Sequence, residues 1–236
     1  MAIYRMADLN IDIQNEHAYT SRICKNYLAP EGAKADMTAF PNPAEYEADR
    51  KVVPTATDGY LEGLSIYRCI AHKLLSFDGF ILHASVVERG GVAYAFCAKS
   101  GTGKTTHSRL WTTAFPDARI INGDKPLLRF LDGRFWIYGT PWCGKENYQV
   151  NTKAPLGGIC FIERAPENSI EPLSKRDAVS RLFIQLLLPK EQSAAEKLLD
   201  LAGKLIDCTP AFLLKCNMDV QAAEVAYEAL KKAQNR

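Results

Sequence analysis

The residues best equipped for chemistry in this chain of 236 are Ala98-Lys99-Ser100-Gly101-Thr102-Gly103-Lys104-Thr105. Small residues here let consecutive backbone N–H groups curl around an anion. A helix starting near Gly103 would add its N-terminal dipole to the same place. Lys104 has the reach for the outer phosphates of a nucleotide, and the Thr105 hydroxyl can ligate magnesium. The pattern is a phosphate-binding loop of the Walker A kind, with alanine in place of the first glycine. Ser100, Gly101, Thr102, Gly103, Lys104, Thr105 and Thr106 are the candidate phosphate-binding residues.

Such a loop needs a carboxylate beside it. Asp124 follows the short apolar strand Ala118–Ile121, twenty residues after Lys104, with a helix and a return strand to fill the gap. At the carboxyl end of a neighbouring strand it could hold magnesium, or take a proton from an attacking hydroxyl. Thr105 and Asp124 are thus the candidate metal ligands. Lys125 reads as a solvated turn residue. His83 sits in the β-forming run Phe80–Val87, close enough to the loop entry to hydrogen-bond Asp124 or tune it. Lys145, in the loop Gly139–Glu146, is a candidate for stabilising charge on a transferring phosphoryl group. Trp142 in that loop suits a packing anchor or a substrate platform. His107 reads as helix-face packing or a solvent-facing residue, and Arg164, able to meet a phosphate or an acidic partner, reads first as a surface salt bridge.

The elements around these residues follow from periodicity and turn chemistry. Phe80–Val87 and Val92–Cys97 flank Gly90-Gly91 and read as a hairpin. Its paired positions sum to 181, so His83 faces Ala98. Lys104–Thr113 reads as a helix. A second hairpin joins Leu127–Leu131 to Phe135–Tyr138 through Asp132-Gly133. Leu156–Ile162 is a buried strand. Helices over 176–188 and 191–206 precede the strand Phe212–Cys216, and a last helix runs from the N-cap Asp219 to about Gln234. Antiparallel hairpins beside a strand–loop–helix unit predict an α/β fold with a mixed sheet.

Residues 1–57 read as a small β-rich cap, with strands at Leu9–Ile13, loosely at Tyr19–Tyr27, and at Ala35–Phe40. Pro41-Asn42-Pro43 then precedes a short acidic helix, Ala44–Arg50. The helical spacing of Gly59–Ser76 opens the main domain, 58–236.

Composition excludes several functions. Lys and Arg number 29 against 27 Asp and Glu, and no basic run exceeds two residues. A basic nucleic-acid footprint is therefore missing. The apolar run Leu182–Pro189 carries Gln185 and falls well short of the about 20 residues a membrane span needs. The N-terminus meets Asp8 early and shows no signal-peptide core. Seven cysteines without a C-x-x-C pair suit reduced thiols in a cytoplasmic protein.

Leu82-His83-Ala84-Ser85, then Ser100-Gly101-Thr102-Gly103-Lys104-Thr105, then Asn122-Gly123-Asp124 resembles the HPr kinase/phosphorylase family. That family shares its fold with phosphoenolpyruvate carboxykinase. The resemblance covers residues 78–165 best. It implies an ATP-dependent serine kinase. Lys104 and Thr105 match the nucleotide-phosphate and magnesium residues, Asp124 the second acid of an Asp-Asp pair that serves as general base, and His83 the family's strand histidine. The loop Gly139–Lys145 looks like that of stand-alone relatives. The family also forms oligomers, which makes a homo-oligomer an expectation. Three features depart from the pattern. Gly123 stands at the first acidic position, the downstream glycine-rich segment used in phosphorolysis has no counterpart, and about 57 residues replace a long N-terminal domain. The acceptor is therefore expected to be a serine on a small protein or peptide rather than HPr itself. Two other classes remain open: a non-catalytic ATP sensor, and a small-molecule kinase of the adenylate-kinase type, which would have an all-parallel sheet.

Overall fold

A computed structural model describes residues 2–234. The chain forms two compact units, divided between Phe77 and Asp78. The sequence reading draws that line after Thr57; the long helix that follows groups with the first unit instead.

The first unit contains strands β1 (Ala2–Met6) and β2 (Leu9–Ile13), helix α1 (Ala18–Ile23), strand β3 (Met37–Ala39), and helices α2 (Pro43–Val52) and α3 (Asp58–Leu74). β1 and β2 form an antiparallel hairpin, and β3 adds to β2 in parallel. The strand expected over Tyr19–Tyr27 is a helix followed by a short helical turn. Its cause is tertiary. The buried Glu62 carboxylate of α3 accepts from the backbone N–H groups of Glu16 (2.6 Å) and His17 (3.1 Å), satisfying donors that a helix start leaves unpaired. Gly59 and Gly63 let α1 approach, since a Cβ at Gly59 would meet Tyr19 Cβ at 2.9 Å. α3 itself starts on the Thr57 hydroxyl, which accepts from Tyr60 N–H, and buries Leu61, Ile66, Ile70 and Leu74.

The second unit carries a nine-stranded mixed sheet. Its elements are β4 (Gly79–Ile81), β5 (Ala84–Arg89), β6 (Val92–Cys97), α4 (Lys104–Ala114), β7 (Arg119–Asn122), β8 (Leu127–Leu131), β9 (Arg134–Tyr138), β10 (Lys153–Arg164), β11 (Ser169–Pro172), α5 (Lys175–Phe183), α6 (Gln192–Cys208), β12 (Ala211–Cys216) and α7 (Gln221–Gln234). The hairpin register is the expected one: Ala84 pairs with Cys97 and Ser85 with Phe96. Gly90 and Gly91 both take positive φ, +61° and +81°, as the tight turn requires. β6 has antiparallel β5 on one side and parallel β10 on the other; β12 adds parallel to β10 and β7 antiparallel to β5.

The single strand expected over 80–87 is broken. β4 pairs with β8, whereas β5 pairs with β6 and β7. Leu82 and His83 span the switch, and their backbone N–H groups go to Pro126 O (3.2 Å) and Gln185 O (2.9 Å). α5 ends at Phe183, short of the expected 188, because the chain turns to offer that Gln185 carbonyl. β11 was not foreseen; Ser169-Ile170-Glu171-Pro172 is a short, mostly exposed edge strand with no apolar alternation to reveal it.

The core beneath the phosphate loop centres on Trp111 of α4, fully buried among Tyr94, Phe96, Phe115 and Tyr227. The seven cysteines carry free thiols. Among the described residues no helix is long and apolar enough to cross a membrane.

His107, one turn into α4, accepts a hydrogen bond from Trp111 Nε1 at 3.0 Å. Burial pushes its pKa down to about 3, whereas an unfolded chain protonates histidine near about 6.5. The stability held by this group is complete above that unfolded value and is lost as pH falls toward the folded one. Urea midpoints between about pH 7 and 4 should therefore fall in the wild type, and less in His107→Gln, whose amide can still accept from Trp111. Equal declines would remove His107 as the cause.

Candidate active site

The phosphate loop leaves β6 at Cys97 and enters α4 at Lys104. Gly101 and Gly103 take φ of +78° and +127°, which side chains with a Cβ rarely adopt. A Cβ at either position would meet nothing within 4 Å. These glycines are required for backbone shape, not for space. Ser100 and Gly101 are exposed, Thr102, Gly103 and Thr105 half-buried, and Thr106 exposed.

Lys104 is only 7% exposed. Its Nζ donates to Ala98 O at 3.0 Å and lies 3.1 Å from His83 Nε2. The same Nε2 is 3.1 Å from Asp124 Oδ1. Lys125 Nζ pairs with the other carboxylate oxygen, Oδ2. His83, Lys104 and Asp124, three residues singled out from sequence, thus form one continuous chain, and Lys125 closes its far end. The reading of Lys125 as merely solvated is corrected.

The strand break explains how His83 arrives there. Leaving the ladder after β4, the chain turns its imidazole to the loop before β5 resumes. The next residue, Ala84, donates its N–H to Asp124 O at 3.0 Å. Asp124 is fixed from its own side by Asn122, which sequence reasoning missed. Asn122 Oδ1 accepts from Asp124 N–H (2.9 Å) and Lys125 N–H (2.7 Å), an Asx turn. Its Nδ2 donates to Thr140 O and Oγ1, at 3.0 and 3.1 Å, and Thr140 Oγ1 donates to Lys125 O at 2.8 Å. Asn122 and Thr140 are fully buried, so the turn is held from inside the protein. The Ser85 and Ser108 hydroxyls, 2.7 Å apart and buried, link β5 to α4 just below.

No gap is left at Gly123. Gly123 N–H donates to Tyr148 O at 2.9 Å, and a Cβ at Gly123 would meet Cys143 O at 2.6 Å. The main chain of the loop after β9 fills the space that an aspartate would need. Gly139 is crossed more closely still, since its Cβ would stand 1.9 Å from Val150 O. Trp142 is buried, which makes it the packing anchor of this loop. Lys145 is exposed at its tip and takes no part in the His83–Lys104–Asp124 hydrogen bonds. Arg164, expected in a surface salt bridge, donates instead to the carbonyls of Gly101 and Thr102.

Electrostatics follow the geometry. Burial lowers the Lys104 pKa, and the negative charge of Asp124 restores only part of it. Burial alone would raise that of Asp124, but the His83 hydrogen bond and the Lys125 charge outweigh it, holding the carboxyl well below its usual range. Burial pushes the Cys143 thiol up to about 11, which leaves it protonated and a poor nucleophile at neutral pH. The site therefore offers a desolvated ammonium beside an amide-rich loop and an ionised carboxylate next to it. That suits an anion with several oxygens, whose charge would relieve the desolvated lysine. Among the described residues no cluster of three or more His, Cys, Asp or Glu could cage a metal. Magnesium rarely needs one, since it takes one or two protein oxygens plus phosphates. The Thr105 hydroxyl and Asp124 carboxylate are the hard donors of that kind.

The sequence matches no family model and no curated protein. Among solved structures, the HPr(Ser) kinase/phosphatase from Coxiella burnetii is similar, at a TM-score of 0.41 and 8% identity, over 66% of this chain and 93% of that one. So loose a superposition leaves the functional reading to the side chains.

Gly123→Ala should destabilise by about 1–3 kcal/mol, because the loop main chain must move to admit a methyl group. Gly203→Ala in α6, where the Cβ meets nothing within 4 Å, serves as control and should be neutral or stabilising. Thermal melts of both variants test this; an unshifted Gly123→Ala melt would contradict the close approach.

Proposed function

We propose that the second unit is a Mg·ATP-dependent kinase acting on a serine hydroxyl of a small protein or peptide. One observation carries the reading: a phosphate loop whose buried lysine is joined through His83 to the carboxylate of Asp124. The resemblance of the three short motifs to HPr kinase/phosphorylase is consistent with it.

When bound, the magnesium nucleotide supplies the electrophilic phosphoryl group with part of its charge already neutralised. Loop amides from Ser100 to Thr105 and the Lys104 ammonium hold the phosphates. Thr105 and Asp124 supply oxygen ligands to the metal. Asp124 also orients the acceptor hydroxyl and receives its proton. Its low basicity is compatible with that task, since a loose transition state asks for positioning before proton removal. His83 Nε2 faces two partners and can serve one at a time. It donates to Asp124 while the lysine rests on Ala98 O, and keeps that bond when Lys104 turns to phosphate. Lys145 is exposed on a loop whose Gly144 would bring a Cβ within 3.4 Å of Asp124 Cβ, so it is suited to meet charge on the acceptor side.

The sensor reading keeps one supporting feature: both Asp124 oxygens are already engaged and no second carboxylate stands at position 123. The adenylate-kinase alternative requires an all-parallel sheet, and the antiparallel β5 beside β6 counts against it.

Single-turnover assays with γ-labelled ATP and serine-bearing peptides separate these readings. Lys104→Ala should abolish ATP binding with the melt preserved. Asp124→Asn should retain ATP binding and lose transfer. Because the carboxyl is held below its ordinary value of 3.8, it stays ionised across about pH 5–9, and transfer should show no carboxylate limb in that range. Wild-type binding without transfer to any acceptor would favour the sensor, and unaltered ATP affinity in Lys104→Ala would refute both.

A further inference from the structure

Arg164 is the last residue of β10, and its guanidinium turns onto the phosphate loop. Nε donates to Thr102 O at 2.9 Å and Nη2 donates to Gly101 O. The strand pairing places it there: Phe161 of β10 pairs with Cys97 at the end of β6, so the next three residues run alongside the loop that β6 feeds.

A trans peptide unit directs its C=O and N–H to opposite sides. Fixing the carbonyls of residues 101 and 102 therefore turns the amides of Thr102 and Gly103 away from the guanidinium. Thr102 N–H is taken up by Lys99 O at 3.1 Å in a turn, while the trans geometry of the next unit turns Gly103 N–H away from the guanidinium. A Cβ at Gly101 or Gly103 would find open space, and glycine is the residue with most conformational freedom to lose. Inside the loop the Lys99 carbonyl holds the first of these planes through Thr102 N–H, and the guanidinium adds a hold on both. A planar guanidinium can hold two adjacent carbonyls at once, which a lysine ammonium on a flexible stem cannot do with the same fixity.

We infer that Arg164 is a positioning residue for the phosphate loop, fixing two of its peptide planes so that Thr102 N–H closes the loop's turn and Gly103 N–H is left for a phosphate. The inference rests on the nucleotide site proposed above, but it concerns the free protein as well. Arg164→Ala and Arg164→Lys are compared with wild type in two measurements. Amide hydrogen exchange on the protein alone should be faster over residues 100–104 in both variants, with the core strands β6 and β10 unchanged. Titration with Mg·ATP should show roughly tenfold weaker binding in both, and turnover should show a raised KM with kcat nearly preserved. Full affinity in Arg164→Lys would reduce the residue to a point charge and overturn the inference, as would unchanged exchange in either variant. Affinity lost only in step with global stability would assign it a merely structural role and overturn it too. Failure of the wild type to bind Mg·ATP would sink the kinase reading, while the exchange measurement would still decide what Arg164 does to the loop.

Discussion

A lysine ammonium held almost out of water demands an answering charge, and in this protein the demand is made by Lys104. Stripping water from it is unfavourable, and one carbonyl, Ala98 O, is a modest replacement. The shortfall is met through His83 by Asp124, the carboxylate whose charge partly restores the lysine pKa. The need is mutual: Asp124 stays ionised although half-buried because His83 and Lys125 compensate its own desolvation. Removing His83 or Asp124 leaves Lys104 desolvated on Ala98 O alone, whereas removing Lys104 also removes that desolvation cost.

The sheet exists in the form that delivers these partners. β6 brings the loop and β5 returns antiparallel beside it, which sets His83 at the loop entry. β7 lies on the far side of β5, so the turn that follows it comes up against the same spot. Asn122, buried and bonded on both ends of its amide, then settles which way Asp124 faces. Two glycines, 123 and 139, let the loop after β9 lie directly on that turn. At position 123 main chain occupies the space a side chain would take.

Much of this was legible in the residues. The loop, both hairpins and the 181 register follow from glycine turns, alternation and spacing, all of them local signals. Tertiary causes were not legible. The segment 19–27 is helical because a carboxylate from α3, more than forty residues on, caps it. His83 leaves its ladder because β4 and β5 belong to different pairings, a fact about strands distant in the chain. Arg164 turned to backbone carbonyls rather than to an acid, and backbone acceptors leave no mark on composition. Asn122 carried the one signal that was available and unused: an Asn-Gly-Asp-Lys sequence is able to fold its own amide back on the next two N–H groups.

The most direct test is a crystal structure with magnesium and a non-hydrolysable ATP analogue. On this account the phosphates lie against the amides of residues 100–105, Lys104 Nζ leaves Ala98 O and His83 to contact them, and Asp124 faces the terminal phosphate. A nucleotide bound elsewhere, or a Lys104 still resting on Ala98 O with Asp124 turned from the ligand, would contradict it.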